Sequence, residues 1–360
     1  MIAIDKLESI LVCPITGNKL SWMTQEQLHQ LNERIAQGTI TLSHQATAAS
    51  TIPAGFKVHE QEIYYPVIDD IIYLLSDLAL QGNQGVYQET ATTLLTKRQV
   101  QTFYDNVGWQ KNADIYQDAQ DSEDLRQVSQ QYIWQCHQRL NNFLPKSGQF
   151  LLDIASGPIQ YSAYLSYSEH FEYRICADIS KRALLEAKQK LGDKGIYLLC
   201  DITQLPLQNN VIDSVVSLHT LYHVPQNEQS KAFAELHRVL KSGGVSLIVY
   251  SWGRRSLLMN ICLFPYKVFS YLKRKVNTQQ PGPALYFYAH SYQWFCHEIK
   301  QKYATRLFSW RSVNVPFLKI FIHQNWGGKQ LLKSIFWLEN RFHGFMGRFG
   351  AYPLFVSVKK

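Results

Sequence analysis

Residues 151–158 read Leu151-Leu152-Asp153-Ile154-Ala155-Ser156-Gly157-Pro158. An apolar run ends on an acid and passes into a tight turn of small residues. Such a run fits a strand buried on both faces, as in a parallel sheet. Outward from it, two further runs end the same way: Tyr173-Arg174-Ile175-Cys176-Ala177-Asp178 and Ile196-Tyr197-Leu198-Leu199-Cys200-Asp201. A fourth, from Asp213 to Leu218, leads into His219-Thr220-Leu221-Tyr222-His223, and a fifth, from Val245 to Tyr250, leads into Ser251 and Trp252. Between them lie stretches with apolar residues at helical spacing, such as Leu184, Leu185, Ala187 and Leu191, or Phe233, Leu236 and Leu240. This alternation over residues 148–252 predicts a doubly wound, mostly parallel α/β sheet.

The chain of 360 residues, 46% of them apolar, is long enough for a large core with an appendage. Six scattered cysteines without paired spacing point to buried reduced thiols rather than a disulfide framework. No secretory leader is visible, and no apolar run reaches the ~20 residues of a bilayer span. These features predict a cytoplasmic protein. The net charge of +8 is unevenly spread: from Ser251 onward 17 Lys and Arg face two acids, a net +15, which leaves −7 for residues 1–250. A basic, aromatic C-terminal part fits a peripheral contact with a phospholipid headgroup layer, an anionic substrate or, as a weaker alternative, nucleic acid. A merely solvated basic surface fits the same charges.

Composition shifts divide the chain into five segments. Residues 1–80 read as a small α+β module, with a helix from Thr24 to Gln37 and a closing pair of strands around Asp69-Asp70. Residues 81–147 read as a polar connection and N-terminal cap helices, the last from about Ser122 to Leu144. The core follows over 148–253. Residues 254–303 read as an aromatic lid or cap insert over the acceptor pocket, broken by Pro265 and Lys267 and ending its first apolar run in Lys273-Arg274-Lys275, with a turn at Gln280–Pro283. Residues 304–360 supply two strands, near 304–313 and 352–358, that complete the sheet.

The acid-terminated strands and the Asp153–Pro158 turn resemble the S-adenosylmethionine (SAM) pocket of class I SAM-dependent methyltransferases, in particular the ubiquinone-biosynthesis-like group. The helix end His237-Arg238-Val239-Leu240-Lys241-Ser242-Gly243-Gly244 is a further feature of that group. The resemblance implies a Rossmann-like fold, SAM as cofactor and a methyl-transferring enzyme. It implies cofactor contacts from Asp153, from Ala155 and Gly157 in the turn, from Asp178 and Ile179 at the ribose, from Asp201 and Ile202 at the adenine, and from Leu218. The family pattern carries glycines at 155, 157 and 159, and this chain keeps only Gly157. A dinucleotide dehydrogenase would place a third glycine at 160, where this chain has Gln160. Residues 1–80 resemble the zinc-ribbon-like modules that accompany some methyltransferases. Here Cys13-Pro14 lacks the paired cysteines a zinc knuckle needs, and His29, His44 and His59 have no ligand spacing, so the module reads as metal-free.

Methyl transfer is a displacement at a sulfonium carbon, so the protein must align the acceptor and exclude water, with a general base as an option. His219, immediately after the fourth strand, is the first candidate for that base, with a packing histidine as its alternative; His223, just before Val224-Pro225, reads as structural, with a base role as its alternative. Tyr104, Trp109, Tyr222, Tyr250, Trp252 and His290 are the candidates for the acceptor pocket. The expected acceptor is a hydroxyl or amine of a small molecule, glycan or lipid-linked intermediate. An RNA methyltransferase and a non-catalytic protein that only binds SAM are the alternatives.

Overall fold

A computed structural model describes residues 4–40, 51–81, 91–266, 268 and 285–360. The polar connection at 82–90, His44, the Lys273–Lys275 group and the Gln280–Pro283 turn lie outside the described residues. The strands, in chain order, are β1 Leu20–Trp22, β2 Ala54–Val58, β3 Ile63–Ile68, β4 Ile71–Tyr73, β5 Leu80–Gln81, β6 Lys111–Asn112, β7 Ile115–Tyr116, β8 Gly148–Ile154, β9 Phe171–Asp178, β10 Gly195–Leu199, β11 Ile212–Leu218, β12 Leu240–Val249, β13 Arg306–Arg311 and β14 Tyr352–Val358. β6 and β7 pair with each other. The rest form one sheet in the order β1-β2-β3-β4-β10-β9-β8-β11-β12-β14-β13, with β5 beside β3.

The centre of this sheet, β10-β9-β8-β11-β12, is parallel throughout. β14 then pairs antiparallel with β12, and β13 with β14. Because side chains alternate across a strand, β8 feeds both faces: Phe150, Leu152 and Ile154 enter one apolar cluster and Leu151 the other. The strand order reverses at β8, whose neighbours are β9 and β11. A crevice therefore opens at the carboxyl ends of these strands.

The first 81 residues have their own helix, Gln25–Ala36, whose start is fixed by a reciprocal capping box between Thr24 and Gln27. They share a sheet with the rest of the chain, because β4 pairs in parallel register with β10, Ile72 opposite Leu198. Cys13 is buried there, its sulfur 3.1 Å from the Tyr65 hydroxyl.

Two helical regions differ from the sequence reading. The helix placed at Ser122–Leu144 spans Gln127–Gln138 and tightens into a 3₁₀ turn over Arg139–Asn142. Its start is delayed because Glu123 and Asp124 are drawn inward: Asp124 takes Arg126 and the Ser129 hydroxyl, and Glu123 takes Arg311. Between β13 and β14 the chain adds the helices Val315–Phe321, Gly328–Arg341 and His343–Phe349. Glu339 anchors this layer. Its buried carboxylate accepts from Arg139 Nη2 at 2.7 Å, the Tyr132 hydroxyl at 2.7 Å and the Ser312 amide at 2.6 Å.

Candidate active site

The turn after β8 adopts an unusual backbone. Ala155, Gly157 and Ile159 all have positive φ, at 49°, 54° and 50°. These are the three positions where the family pattern carries glycine. The loop keeps a glycine-loop conformation although two of its glycines are gone. A non-glycine residue held there costs roughly 1–2 kcal/mol, so the surroundings must enforce it. The Gly157 amide donates to Asp178 Oδ2 at 2.9 Å, and the Ala155 amide to the Ala177 carbonyl at 2.6 Å. A Cβ on Gly157 would stand 2.9 Å from the Trp109 indole, which lies across the loop.

Asp178 ends β9 and is buried. Its other oxygen, Oδ1, accepts from the Ser180 amide at 2.8 Å. Burial pushes its pKa up to about 6, against the two amide hydrogen bonds that favour the charged form. Asp153 sits deeper, its carboxylate taken by the buried Arg174 guanidinium at 2.5 and 3.1 Å. Asp201, at the end of β10, lies 2.6 Å from Lys97 Nζ, which also stands 2.9 Å from Glu228. Lys97 comes from the helix Ala91–Phe103, and Gln101 of that helix donates to the Ile179 carbonyl at 2.7 Å. The helix thus closes over the ends of β9 and β10.

These groups line one cavity of about 360 Å³. Asp153, Ala155, Gly157, Asp178, Ile179, Asp201, Ile202 and Leu218 all face it, as do Tyr104, Trp109, Tyr222, His219 and His223. Tyr104 stacks on Trp109 at 4.9 Å, which carries the N-terminal segment into the wall. The carboxylates of Asp118, Glu123, Asp153, Asp178 and Asp201 outnumber the cations of Lys97 and Arg311 in this lining. That balance suits a cationic sulfonium, and Asp178 is placed to accept from ribose hydroxyls, so the residues fit SAM.

Three residues expected in the acceptor pocket stand elsewhere. Tyr250 and Trp252 pack with Phe295 and Phe355 in the core on the other side of β12. The Tyr250 hydroxyl donates to Gln229 Oε1 at 2.8 Å, and the Trp252 indole donates to the Gly347 carbonyl at 2.7 Å. His290 is stacked on Trp294 at 4.3 Å. None of the three lines the cavity. The two-residue period of β12 decides this: Val249 faces the cluster on one side of the sheet, and Tyr250 faces the other.

The far end of the cavity is built from residues the sequence reading passed over. Tyr161, Tyr164, Trp310, Tyr352, Glu123 and Arg311 line it. Arg311 is buried with its guanidinium 5.0 Å from both the Trp310 and the Tyr352 ring centres. One of its nitrogens donates to Glu123 Oε1 at 2.5 Å, while its enclosed Nε–H has no acceptor. Strand β13, Arg306–Arg311, has an arginine at each end, Arg306 exposed and Arg311 buried, and an arginine directly after the apolar Leu307-Phe308-Ser309-Trp310 run is the sequence signal that marks this group.

His219 joins the two ends. Its φ is +60°, its amide donates to the Val249 carbonyl, and its ring meets Trp310 edge-on at 4.7 Å. Burial and the nearby Arg311 hold its pKa well below the usual histidine value. His223 is fixed by Nδ1, 2.7 Å from the Tyr286 carbonyl. That contact makes Nδ1 the protonated nitrogen and leaves the Nε2 lone pair free. Burial lowers its pKa to about 4, so it is neutral at pH 7. Of the aromatic insert, Leu285 reaches the cavity, and Phe287 packs on Tyr222 at 4.9 Å.

Residues 152–248 match the family model described as a methyltransferase domain. The ubiquinone/menaquinone biosynthesis C-methyltransferase UbiE of Desulfotalea psychrophila is 34% identical over 101 residues, 28% of this chain and 40% of that protein. An uncharacterized chloroplastic methyltransferase of Arabidopsis thaliana is 25% identical over 248 residues, 66% of this chain and 60% of the relative. The chain thus spans about half the length of the curated relatives it matches. Among solved structures, geranyl diphosphate C-methyltransferase from Streptomyces coelicolor A3(2), in complex with Mg2+, geranyl diphosphate and S-adenosyl-L-homocysteine, is 12% identical. The match covers 74% of this chain and 98% of that one, with a TM-score of 0.45.

Proposed function

We propose that this chain, built on a class I SAM-dependent methyltransferase domain, moves a methyl group to a hydroxyl or amine of a small molecule, glycan or lipid-linked acceptor. The observation that carries the reading is one continuous cavity, running from the Gly157–Asp178 cradle past His219 to the aromatic chamber around Arg311. The donor supplies a methyl already activated by its positive sulfur. The remaining work is alignment and exclusion of water. Tyr161, Tyr164, Trp310 and Tyr352 give the chamber flat apolar walls that suit a planar or hydrocarbon body. Arg311, with donor capacity left over, orients an acceptor oxygen. His223 Nε2 is positioned as the neutral base that takes the acceptor's proton, and His219 packs the junction.

The test is product mass spectrometry. Purified protein, SAM and a metabolite extract should yield at least one species heavier by a methyl group, absent without the protein. Binding of S-adenosylhomocysteine with no methylated product from any extract would favour a non-catalytic binding protein.

Residues 1–80 are read as a metal-free relative of the zinc-ribbon-like modules. The support is the tight turn after Cys13, where the Gly17 amide donates to the Cys13 carbonyl at 2.8 Å and the thiol lies against Tyr65.

A further inference from the structure

The outer surface of the C-terminal helices carries apolar residues that the fold leaves uncovered. On the helix Leu257–Cys262, Leu257 and Ile261 are exposed, Ile261 at 63%, and beyond its end Phe264, at 64%, and Val268 are exposed as well. Leu257 and Ile261, four apart, lie on one stripe of that helix. Met259 and Leu263, on the opposite side, are buried in the core. Apolar residues thus stand on both sides here: Met259 and Leu263 serve the fold, and Leu257 and Ile261 point outward.

Neighbouring helices repeat the pattern. Trp326 is 84% exposed, and Phe321, Leu331, Trp337, Phe342 and Phe345 are exposed as well. On Gly328–Arg341 the buried Leu332, Ile335 and Glu339 mark the inner face, while Lys333, Trp337 and Arg341 follow at intervals of four on the outer face. Lys319, Lys329 and Arg348 are exposed on the same layer. The stripe is tied to this layer at two points. Met259 Sδ accepts from the Asn314 amide at 3.4 Å, and the Ser256 hydroxyl donates to the Phe349 carbonyl at 3.1 Å. Among the described residues no helix is long and apolar enough to cross a membrane.

The geometry points to a docking surface for a lipid bilayer with anionic headgroups. Charge supports it, since residues from Ser251 onward carry a net +15. The residue types support it too. Exposed tryptophans between lysines and arginines match the headgroup zone, where an indole buries its ring and keeps its N–H wet. Leu257, Ile261 and Leu331 are aliphatic, which a hydrocarbon boundary rewards and a nucleic acid does not. The inference stands on a surface separate from the cavity, so it does not depend on the acceptor chosen above.

The experiment is co-sedimentation of the full chain with vesicles of phosphatidylcholine alone and of phosphatidylcholine with one quarter phosphatidylglycerol. The expected result is binding to the anionic vesicles, a blue shift of tryptophan fluorescence, and release in high salt. Phe264→Asp and Trp326→Ala should each weaken binding at least fivefold. Lys329→Gln combined with Lys333→Gln should weaken it roughly tenfold or more. Every variant should titrate S-adenosylhomocysteine as the wild type does, which separates surface loss from misfolding and from failure of the methyltransferase reading. Absence of vesicle binding, or unchanged binding by Phe264→Asp and Trp326→Ala, overturns the proposal. It is also overturned if these residues instead mediate binding of a single-stranded RNA 20-mer, or self-association that Ile261→Asp abolishes, with no vesicle binding.

Discussion

The Gly157 amide donates to Asp178 Oδ2 at 2.9 Å, so the end of one strand holds the turn that follows its neighbour. The acid at the end of β9 is therefore a strut for the loop after β8, and on the proposed reading it also accepts from the cofactor's ribose. Asp178→Ala removes both. S-adenosylhomocysteine binding, measured by titration calorimetry, should weaken by roughly 1–3 kcal/mol. The same group sets a pH dependence. With its pKa raised to about 6, Asp178 is charged at pH 7.5 and protonated at pH 5. Affinity should fall as pH drops through 6, and this step should vanish in Asp178→Asn.

Trp109 and Gly157 form the second test. Gly157→Ala meets both a positive φ of 54° and an indole 2.9 Å away. It should destabilise the protein by about 1–2 kcal/mol and reduce cofactor binding. Ala155→Gly works in the opposite direction. It relieves the left-handed strain at φ 49°, and thermal melting should rise, by up to about 1 kcal/mol of stability. A fall in melting temperature would mean that the loop is not held in this conformation.

Arg311 and Glu123 predict a non-additive pair. Arg311→Met alone leaves a buried carboxylate without its partner, and should cost about 3–5 kcal/mol. The double variant Arg311→Met with Glu123→Gln should recover most of that loss. Cofactor affinity should survive in the double variant while transfer to the acceptor collapses. Wild-type transfer rates in the double variant would remove Arg311 from the acceptor site.

His137 carries a stability prediction. It is buried against Trp310 and Tyr161, 3.9 Å from Glu123, and its pKa is lowered to about 3, chiefly by burial and also by Arg311. The unfolded chain protonates this histidine near pH 6.5, and the folded one does not until far lower. Its contribution is fully present above 6.5 and is lost as pH falls toward 3. Wild type should lose stability relative to His137→Gln by about 1.4 kcal/mol per pH unit across that window. Denaturant unfolding at pH 7, 6, 5 and 4 measures it, and parallel curves for the two proteins would contradict the assignment.

A last prediction concerns the N-terminal module. Cys13 packs against Tyr65, and among the described residues no cluster of three metal-binding side chains surrounds it. Untagged protein should contain no stoichiometric zinc by elemental analysis, and Cys13→Ser should fold. One equivalent of zinc that disappears in Cys13→Ser would show the module to be a working zinc site.

What the sequence determined is the part written in local chemistry. Apolar runs ending on Asp153, Asp178 and Asp201, the last two separated by an amphipathic helix, dictate a parallel sheet and bring those acids to one edge. Strand period and chain order are enough for that, because each crossover returns the chain to the same end of the sheet. The glycine loop is the intermediate case. Its letters had drifted to Ala155 and Ile159, yet the backbone kept positive φ at both, since hydrogen bonds from neighbouring strands fix the turn regardless of side chain. The aromatic chamber around Arg311 was decided only by the tertiary structure. Glu123, Tyr161, Arg311 and Tyr352 come from four segments spread over more than two hundred residues, and no local pattern links them. The face chosen by Tyr250 and Trp252 was likewise settled by packing. The two-residue period of β12 puts both on the face opposite Val249, and only the assembled core with Phe295 and Phe355 shows that this face turns from the cavity.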